Sequence, residues 1–374
     1  MHSFKTDPNH IQIIIFVYIL GLSLSQFFYG PLSDRYGRRI VVILGASTCF
    51  AGNLFAIFAH SLVQLIIARF ICAFGAGAGM ILARVVFRDC FSGTTLLRAN
   101  SYFSMSVNIS PAIAPFIGGL IQEDLGWRWT FLLLAVWAFI VFITSKRNLP
   151  ETLATEKQIP LHLRSLFHTY YRILKDKPFI YSALLSGTTL GASLTYLFMS
   201  PFLYQLTLHL SPSQNGLVYL ANAGGFLLGA TCVNRLSERY TPYQFIRSGL
   251  AICLLAALVL LTLGLWGIIN IWVLLIPAGM NSIGSGFVMP ATGVIALENM
   301  EMGAGRAASL LGGIRLLIVA FCSLLVILVH EFNQTPMASL MLGFSVAGVF
   351  FYRELTARSD SGKRHIWRIW RRKT

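Results

Sequence analysis

The chain has 374 residues, 56% of them hydrophobic and 11% charged, with a formal net charge of +15 at pH 7. Soluble domains carry about 25% charged residues, so an ordinary water-soluble globule is excluded and an integral membrane protein is expected. The positive excess is not a nucleic-acid footprint, because nearly all Lys and Arg lie in short gaps between apolar runs.

From the N-terminus, "MHSFKTDPNHIQ" lacks the basic, apolar and small-residue regions of a cleavable signal, so the first apolar run reads as a retained span. About 20 apolar residues cross the hydrocarbon core as a helix, the form whose backbone groups are all satisfied internally. Eleven such stretches are predicted: 11–32, 40–59, 62–86, 102–121 and 129–144, then 179–203, 215–233, 245–266, 271–297, 307–329 and 337–352. The "WGIIN" at 266–270 is the one plausible break in a much longer apolar run. Between the fifth and sixth spans, 145–177 is the one long polar segment. Its "LHLRSLFHTYYRILKDK" is partly amphipathic and suited to the membrane surface, and the whole segment reads as a tether.

Of the 29 Lys and Arg, 25 lie in the tail or in or beside the gaps after odd-numbered spans, the exceptions being Lys5, Arg69, Arg128 and Arg315. Positive charge accumulates in cytoplasmic loops, which predicts a cytoplasmic C-terminus. An odd number of spans then places Met1 outside, either by unaided translocation of a short N-tail or because a preceding helix is missing from this chain. The basic tail, with "HIWRIWRR", suits anionic lipid as well as plain cytoplasmic charge. The six cysteines have no metal-ligand spacing and mostly sit in apolar runs, so no metal, cofactor or thiol chemistry is assigned.

The stretch "GPLSDRYGRR", residues 30–39, reads as a tight turn between antiparallel helices. Gly30 and Gly37 permit close approach or unusual backbone angles, Pro31 marks a helix end, and Arg35, Arg38 and Arg39 satisfy the positive bias. Asp34 is a carboxylate where only cations are needed, which points to a specific partner.

This stretch resembles the signature that follows the second helix of the major facilitator superfamily, G-x-x-x-D-R-x-G-R-R. More narrowly, the chain is similar to the Bcr/CflA group of drug/proton antiporters, through "ARFICAFGAGAGMILARVVFRD", "SPAIAPFIGG", "GWRWTF", "LPETL", "MSPFLY" and "AGMNSIGSGFVMPATGVIALENMEMGAGRAASLLGG". The likeness covers about residues 11–355. It implies an all-α membrane protein with two helical bundles around a substrate cavity. About eleven transmembrane helices are expected, five and six, where the family has twelve, the first helix being absent. The implied organisation is an N-terminal bundle at 1–145 (family helices 2 to 6), a cytoplasmic linker at 146–177, a C-terminal bundle at 178–352 (family helices 7 to 12) and a basic cytoplasmic tail at 353–374.

The resemblance also implies site residues. Asp34 is expected to pair with the start of family helix 11, near Gly305 and Arg306, where a helix N-terminus attracts a carboxylate. With Arg35, Arg38, Arg39 and Asp89 it would form a cytoplasmic gate. Arg69, seven residues inside its span, stands at the family's arginine associated with proton transfer, although the polar residue three positions later is Cys72 here. Pro111, Pro115, Gly118 and Gly119 resemble the antiporter helix that seals the resting cavity. Gln26, Asn108, Tyr196, Asn222 and Asn281 are candidate cavity groups, each equally able to serve as interhelical glue.

All fourteen Asp and Glu residues fall in loops, tails or helix ends, so no intramembrane carboxylate is available for proton coupling. Arg315 sits deep in its span where the family shows a neutral amide. Either it snorkels toward the cytoplasm, or it faces the cavity and an anionic substrate supplies the countercharge. No phosphate-binding loop is present, and an enzyme is not expected. The expected function is proton-coupled efflux of small amphipathic molecules or drugs by alternating access, from a monomer in the cytoplasmic (inner) membrane. The alternatives are an uncoupled remnant or partner-binding membrane protein, and an importer of an anionic metabolite.

Overall fold

The computed structural model describes residues 8–153, 163–298, 304–329 and 333–359. Its helices are α1 (Pro8–Tyr36), α2 (Arg38–Ile57), α3 (Leu62–Cys90), α4 (Gly93–Asp124), α5 (Trp127–Asn148), α6 (Leu163–Lys175), α7 (Lys177–Phe202), α8 (Pro212–Leu236), α9 (Pro242–Leu265), α10 (Ile271–Leu297), α11 (Ala304–Leu328) and α12 (Gln334–Ser359). A π-helical turn, Leu203–Thr207, extends α7. Each predicted span coincides with one long helix, and α9 and α10 part at 266–270. Among the described residues, nine helices are long and apolar enough to cross a membrane.

The starts of these helices are written in the sequence. Ser61 with Gln64, Ser211 with Gln214 and Thr241 with Gln244 form reciprocal capping boxes on α3, α8 and α9. Asp176 and Asn270 cap α7 and α10 through the backbone N–H groups of Phe179 and Val273. Charged ends are tied similarly. At the end of the molecule poor in cations, Arg128 on α5 donates to the carbonyls of Ile57 and Ala59 that close α2. This gives one exception to the charge pattern a structural duty.

Helices α1–α5 and α7–α12 form two bundles, which among the described residues meet chiefly along α1 with α11 and α4 with α8. The lipid-facing surface is apolar: on α5, Leu133, Val136, Trp137 and Ile140 are all exposed. Small residues set the tightest packing. Gly45, Cys49 and Gly52 of α2 lie one and two turns apart and face Ala68, Cys72, Gly75 and Ala78 of α3, and a Cβ on Gly75 would stand 2.6 Å from the Gly45 carbonyl. Backbone cannot retreat as a side chain does. Gly75→Ala is therefore expected to lower stability by about 2 kcal/mol through overpacking, read as a drop in thermal unfolding temperature in detergent.

Several prolines sit inside helices instead of ending them, and at two of them, Pro31 and Pro201, the missing donor has a visible substitute. Pro31 lies in α1, which continues to Tyr36; the predicted end at Pro31 and the tight turn at 30–39 are corrected to a continuous helix broken at one residue, Gly37, at φ 93°. A proline lacks the N–H that would bond the carbonyl four residues back. For Pro31 that carbonyl is Phe27, and the Tyr170 hydroxyl on α6 donates to it at 3.3 Å. For Pro201 in α7 it is Leu197, and the Tyr219 hydroxyl on α8 donates to it at 3.3 Å. A distant tyrosine replaces the missing donor in each case, so the helix is not forced to end.

Candidate functional site

The charge knot at the cation-rich end is built on Arg38, whose side chain is buried among three acceptors. It donates to Asp34 at 2.6 Å, to Ser33 at 2.7 Å and to Asp89 of α3 at 3.2 Å. The Thr152 hydroxyl joins Asp89 at 3.2 Å. Glu151, in "LPETL", accepts the backbone N–H of Arg38 at 2.8 Å and of Arg39 at 3.3 Å. It thus serves the free N–H groups at the start of α2. Gly37 makes this possible: a side chain there would overlap the Glu151 carboxylate, and its positive φ is one that glycine adopts without strain. Arg39 donates to the Lys146 carbonyl at 2.8 Å, closing the end of α5, while Arg35 is exposed and lies over the Tyr36 ring.

All these partners belong to the first bundle or to the residues just after α5. Asp34 pairs with Arg38, which opens α2 just past the break at Gly37; the other expected partner is the start of α11. Residues 299–303, part of that expected seat, lie outside the described residues, and Gly305 follows in the first turn of α11. The first bundle meets α11 through small groups: a Cβ on Gly30 would stand 3.6 Å from the Ser309 hydroxyl, and Ser23 donates to the Gly313 carbonyl at 3.0 Å.

The amphipathic stretch of the linker is α6, and it touches both bundles. Besides its bond to Phe27, Tyr170 packs edge-on against the Phe27 ring, while Thr169 accepts from Arg306 of α11 at 3.5 Å. Burial pushes the Tyr170 hydroxyl up to about 12, with Arg306 opposing the rise and Asp34 adding to it. With the folded value raised, the bond's contribution is complete below the ordinary tyrosine range and is lost as pH climbs through about 12. Tyr170→Phe keeps the ring and removes the donor. It is expected to cost about 1 kcal/mol and to raise amide hydrogen exchange in α6.

Arg69 lies over the Tyr18 ring of α1 at 4.0 Å and near the Phe131 ring of α5 at 5.5 Å, where stacking on two aromatic faces lowers the cost of its charge. Cys72, three positions on, has its sulfur 3.7 Å from that of Cys49. On α4, Gly119 is buried against α8, where its Cβ would stand 2.5 Å from the Pro212 carbonyl; Gly216 of α8 returns the contact at Phe116, next to Pro115. Gly118, expected to share this role, has open space where a Cβ would be. The side chains of Pro111 and Asn108 lie outside the described residues.

Several candidate cavity groups have hydrogen-bond partners within the packing. Tyr196 is 1% exposed and shares a hydrogen bond at 2.8 Å with Tyr204 of the turn that extends its own helix. Asn281 is buried and donates to Ser193 at 3.0 Å, and Asn222 accepts from Ser282 at 2.6 Å. Burial of an amide or phenol in lipid-bounded packing requires such partners, as the glue role that the sequence left open supposes. Gln26 is buried on α1, its amide 3.8 Å from the Met80 sulfur of α3. Arg315 does not snorkel: its Nε donates to Ser186 of α7 at 2.7 Å, and its Nη2 is shielded from solvent.

With this geometry in place, a family model for the Major Facilitator Superfamily matches residues 1–323. The chain belongs to the major facilitator superfamily. It is 31% identical over 306 residues to Multidrug resistance protein D of Escherichia coli, covering 82% of this chain and 76% of that protein. It is 25% identical over 358 residues to the Bicyclomycin resistance protein homolog of Haemophilus influenzae, covering 94% of this chain and 88% of that one. Within the superfamily it is of the Bcr/CflA type. The crystal structure of a D-xylose-proton symporter shares the fold at a TM-score of 0.73, with 14% identity, covering 93% of this chain and 88% of that one.

In this superfamily member three residues carry more of the architecture than their sequence suggests. Glu151 sits in a motif quoted for resemblance, yet nothing local marks it as the cap of α2. Tyr170 is one aromatic residue in an amphipathic stretch. Arg84 counts with the loop cations, although eleven and fifteen residues separate Arg69 from Met80 and Arg84, spacings that return to one face of a helix. That periodicity is the signal that would have found it.

Proposed function

We propose that this multi-pass transporter exports small amphipathic, drug-like molecules from the cytoplasmic side of an inner membrane in exchange for protons, by alternating access. The observation that carries this reading is the likeness, over most of the chain, to a protein named for multidrug resistance. The placement of bundle contacts supports the mechanism. The bundles touch along α1–α11 and through backbone-close glycines at α4–α8, surfaces that can part without unpacking either bundle. Positive charge at the end carrying Gly37 and the α12 terminus supports a cytoplasmic position for that end. Arg69 is the candidate for coupling. A guanidinium stays protonated, so it would act by orienting groups around it while protons move on neighbours or substrate. The transporter would work as a monomer.

Efflux of ethidium from cells expressing the chain tests this reading. Lower accumulation than in empty-vector cells, reversed by a protonophore, is the expected result. Accumulation equal to the vector control would sink the export reading, and efflux indifferent to the protonophore would sink proton coupling.

A further inference from the structure

Arg315 lies eleven residues after the first residue of α11, about 16 Å along the helix at 1.5 Å per residue. Its guanidinium points between elements. Nε is fixed by Ser186 of α7, while Nη2 is shielded from solvent and finds no hydrogen-bond partner among the described residues. Beside Nη2, α10 presents Gly293, where even an added Cβ would remain 3.9 Å away. The face of α11 that carries Arg315 turns toward the other bundle: three residues back, a Cβ on Gly312 would stand 3.4 Å from Gln26 Oε1 of α1, whose amide lies 3.8 Å from the Met80 sulfur of α3, one turn from Arg84. Arg84 is solvent-exposed and lies over the Phe103 ring of α4 at 5.2 Å. The two side-chain ion pairs among the described residues both belong to Arg38, so neither of these arginines is neutralised by a carboxylate there.

A shielded guanidinium with unused N–H groups, set against a second cation, is unfavourable unless an anion completes it. The fork geometry of arginine suits a carboxylate, which accepts two parallel hydrogen bonds. One turn from Arg84 on the same face, Met80 is 43% exposed, and the Gln26 amide approaches its sulfur. A flexible thioether beside one polar group suits an apolar body of variable shape.

We propose that Arg315 and Arg84 bind the carboxylate of an amphipathic organic anion between the two bundles, with Met80 and Gln26 beside its apolar part. The proposal rests on the reading of the chain as a transporter and names the charge class of a substrate.

Binding of carboxyfluorescein to the full chain in lipid nanodiscs, followed by fluorescence anisotropy, is the test. Wild type is expected to bind it, and Arg315→Gln to bind at least tenfold more weakly. Arg315→Lys should be intermediate because it keeps the charge and loses the fork. Arg84→Gln should also weaken binding about tenfold, and it keeps the proposal open to refutation should Arg315→Gln fail to fold. Benzoate should compete and inorganic phosphate at equal concentration should not; displacement by phosphate as effective as by benzoate would overturn the organic-anion assignment. Equal affinity in wild type and either glutamine variant, or no binding by wild type, would overturn the site. Ethidium efflux separates the two readings: a wild type that exports ethidium and ignores carboxyfluorescein loses this site and keeps the transporter.

Discussion

Replacing Gly119 by leucine is expected to abolish transport while leaving both bundles folded. The contact it disturbs is between halves of the molecule: α4 from the first bundle and the Pro212 carbonyl at the start of α8 from the second, 2.5 Å from where a Cβ would stand. The opposing atom is backbone, so the clash is relieved by separating the helices, at a cost of about 3 kcal/mol. That shifts the balance between touching and parted arrangements roughly 100-fold. Gly118→Leu supplies the comparison, since the neighbouring glycine has open space around it, and this variant should keep most of the wild-type rate. Ethidium efflux at matched expression would show the difference; equal rates for the two variants would refute the assignment of Gly119 to a working contact.

Arg38→Ala is expected to have the second large effect, on stability as much as on transport. Its guanidinium stands between Asp34 at 2.6 Å and Asp89 at 3.2 Å, with only 9% of its own side chain exposed. Removal leaves two carboxylates facing each other without a counterion. Breaking a buried pair from one side costs about 3 kcal/mol or more, and the partial exposure of both aspartates places this case at the lower end. Lysine in its place restores charge without the fork that reaches three acceptors at once, so Arg38→Lys should recover part of the loss. Neutralising both aspartates alongside Arg38→Ala should recover more than the sum of single effects allows. Thermal unfolding of the four proteins measures this. An alanine variant as stable as wild type would show that the knot is solvated charge.

What could be read from the chain follows from what the bilayer demands. A run of some 20 apolar residues has few alternatives to a helix there, so the spans and the break at 266–270 were legible. Helix α1 was not legible through Pro31, because the donor that lets it continue is Tyr170, 143 positions away. Arg38, expected in the same charge cluster as Asp34, pairs with it across the break at Gly37. Tyr196, Asn222 and Asn281 announce themselves as polar groups in apolar helices, but whether such a group faces a cavity or a neighbour is decided by residues such as Tyr204, Ser282 and Ser193. Arg315 was singled out by its depth. Its facing cation, Arg84, was hidden among loop charges until two bundles were placed side by side.

The substitution of a tyrosine hydroxyl for the amide missing at Pro201 bears on how α7 can bend. In an unbroken helix, tilting one end lengthens a backbone bond that has no slack. At Leu197 the donor sits at the tip of the Tyr219 side chain, which can follow a shift of the carbonyl by turning about its own bonds. The last turns of α7 therefore have a compliant joint, and deuterium uptake confined to residues after 197 would be its signature.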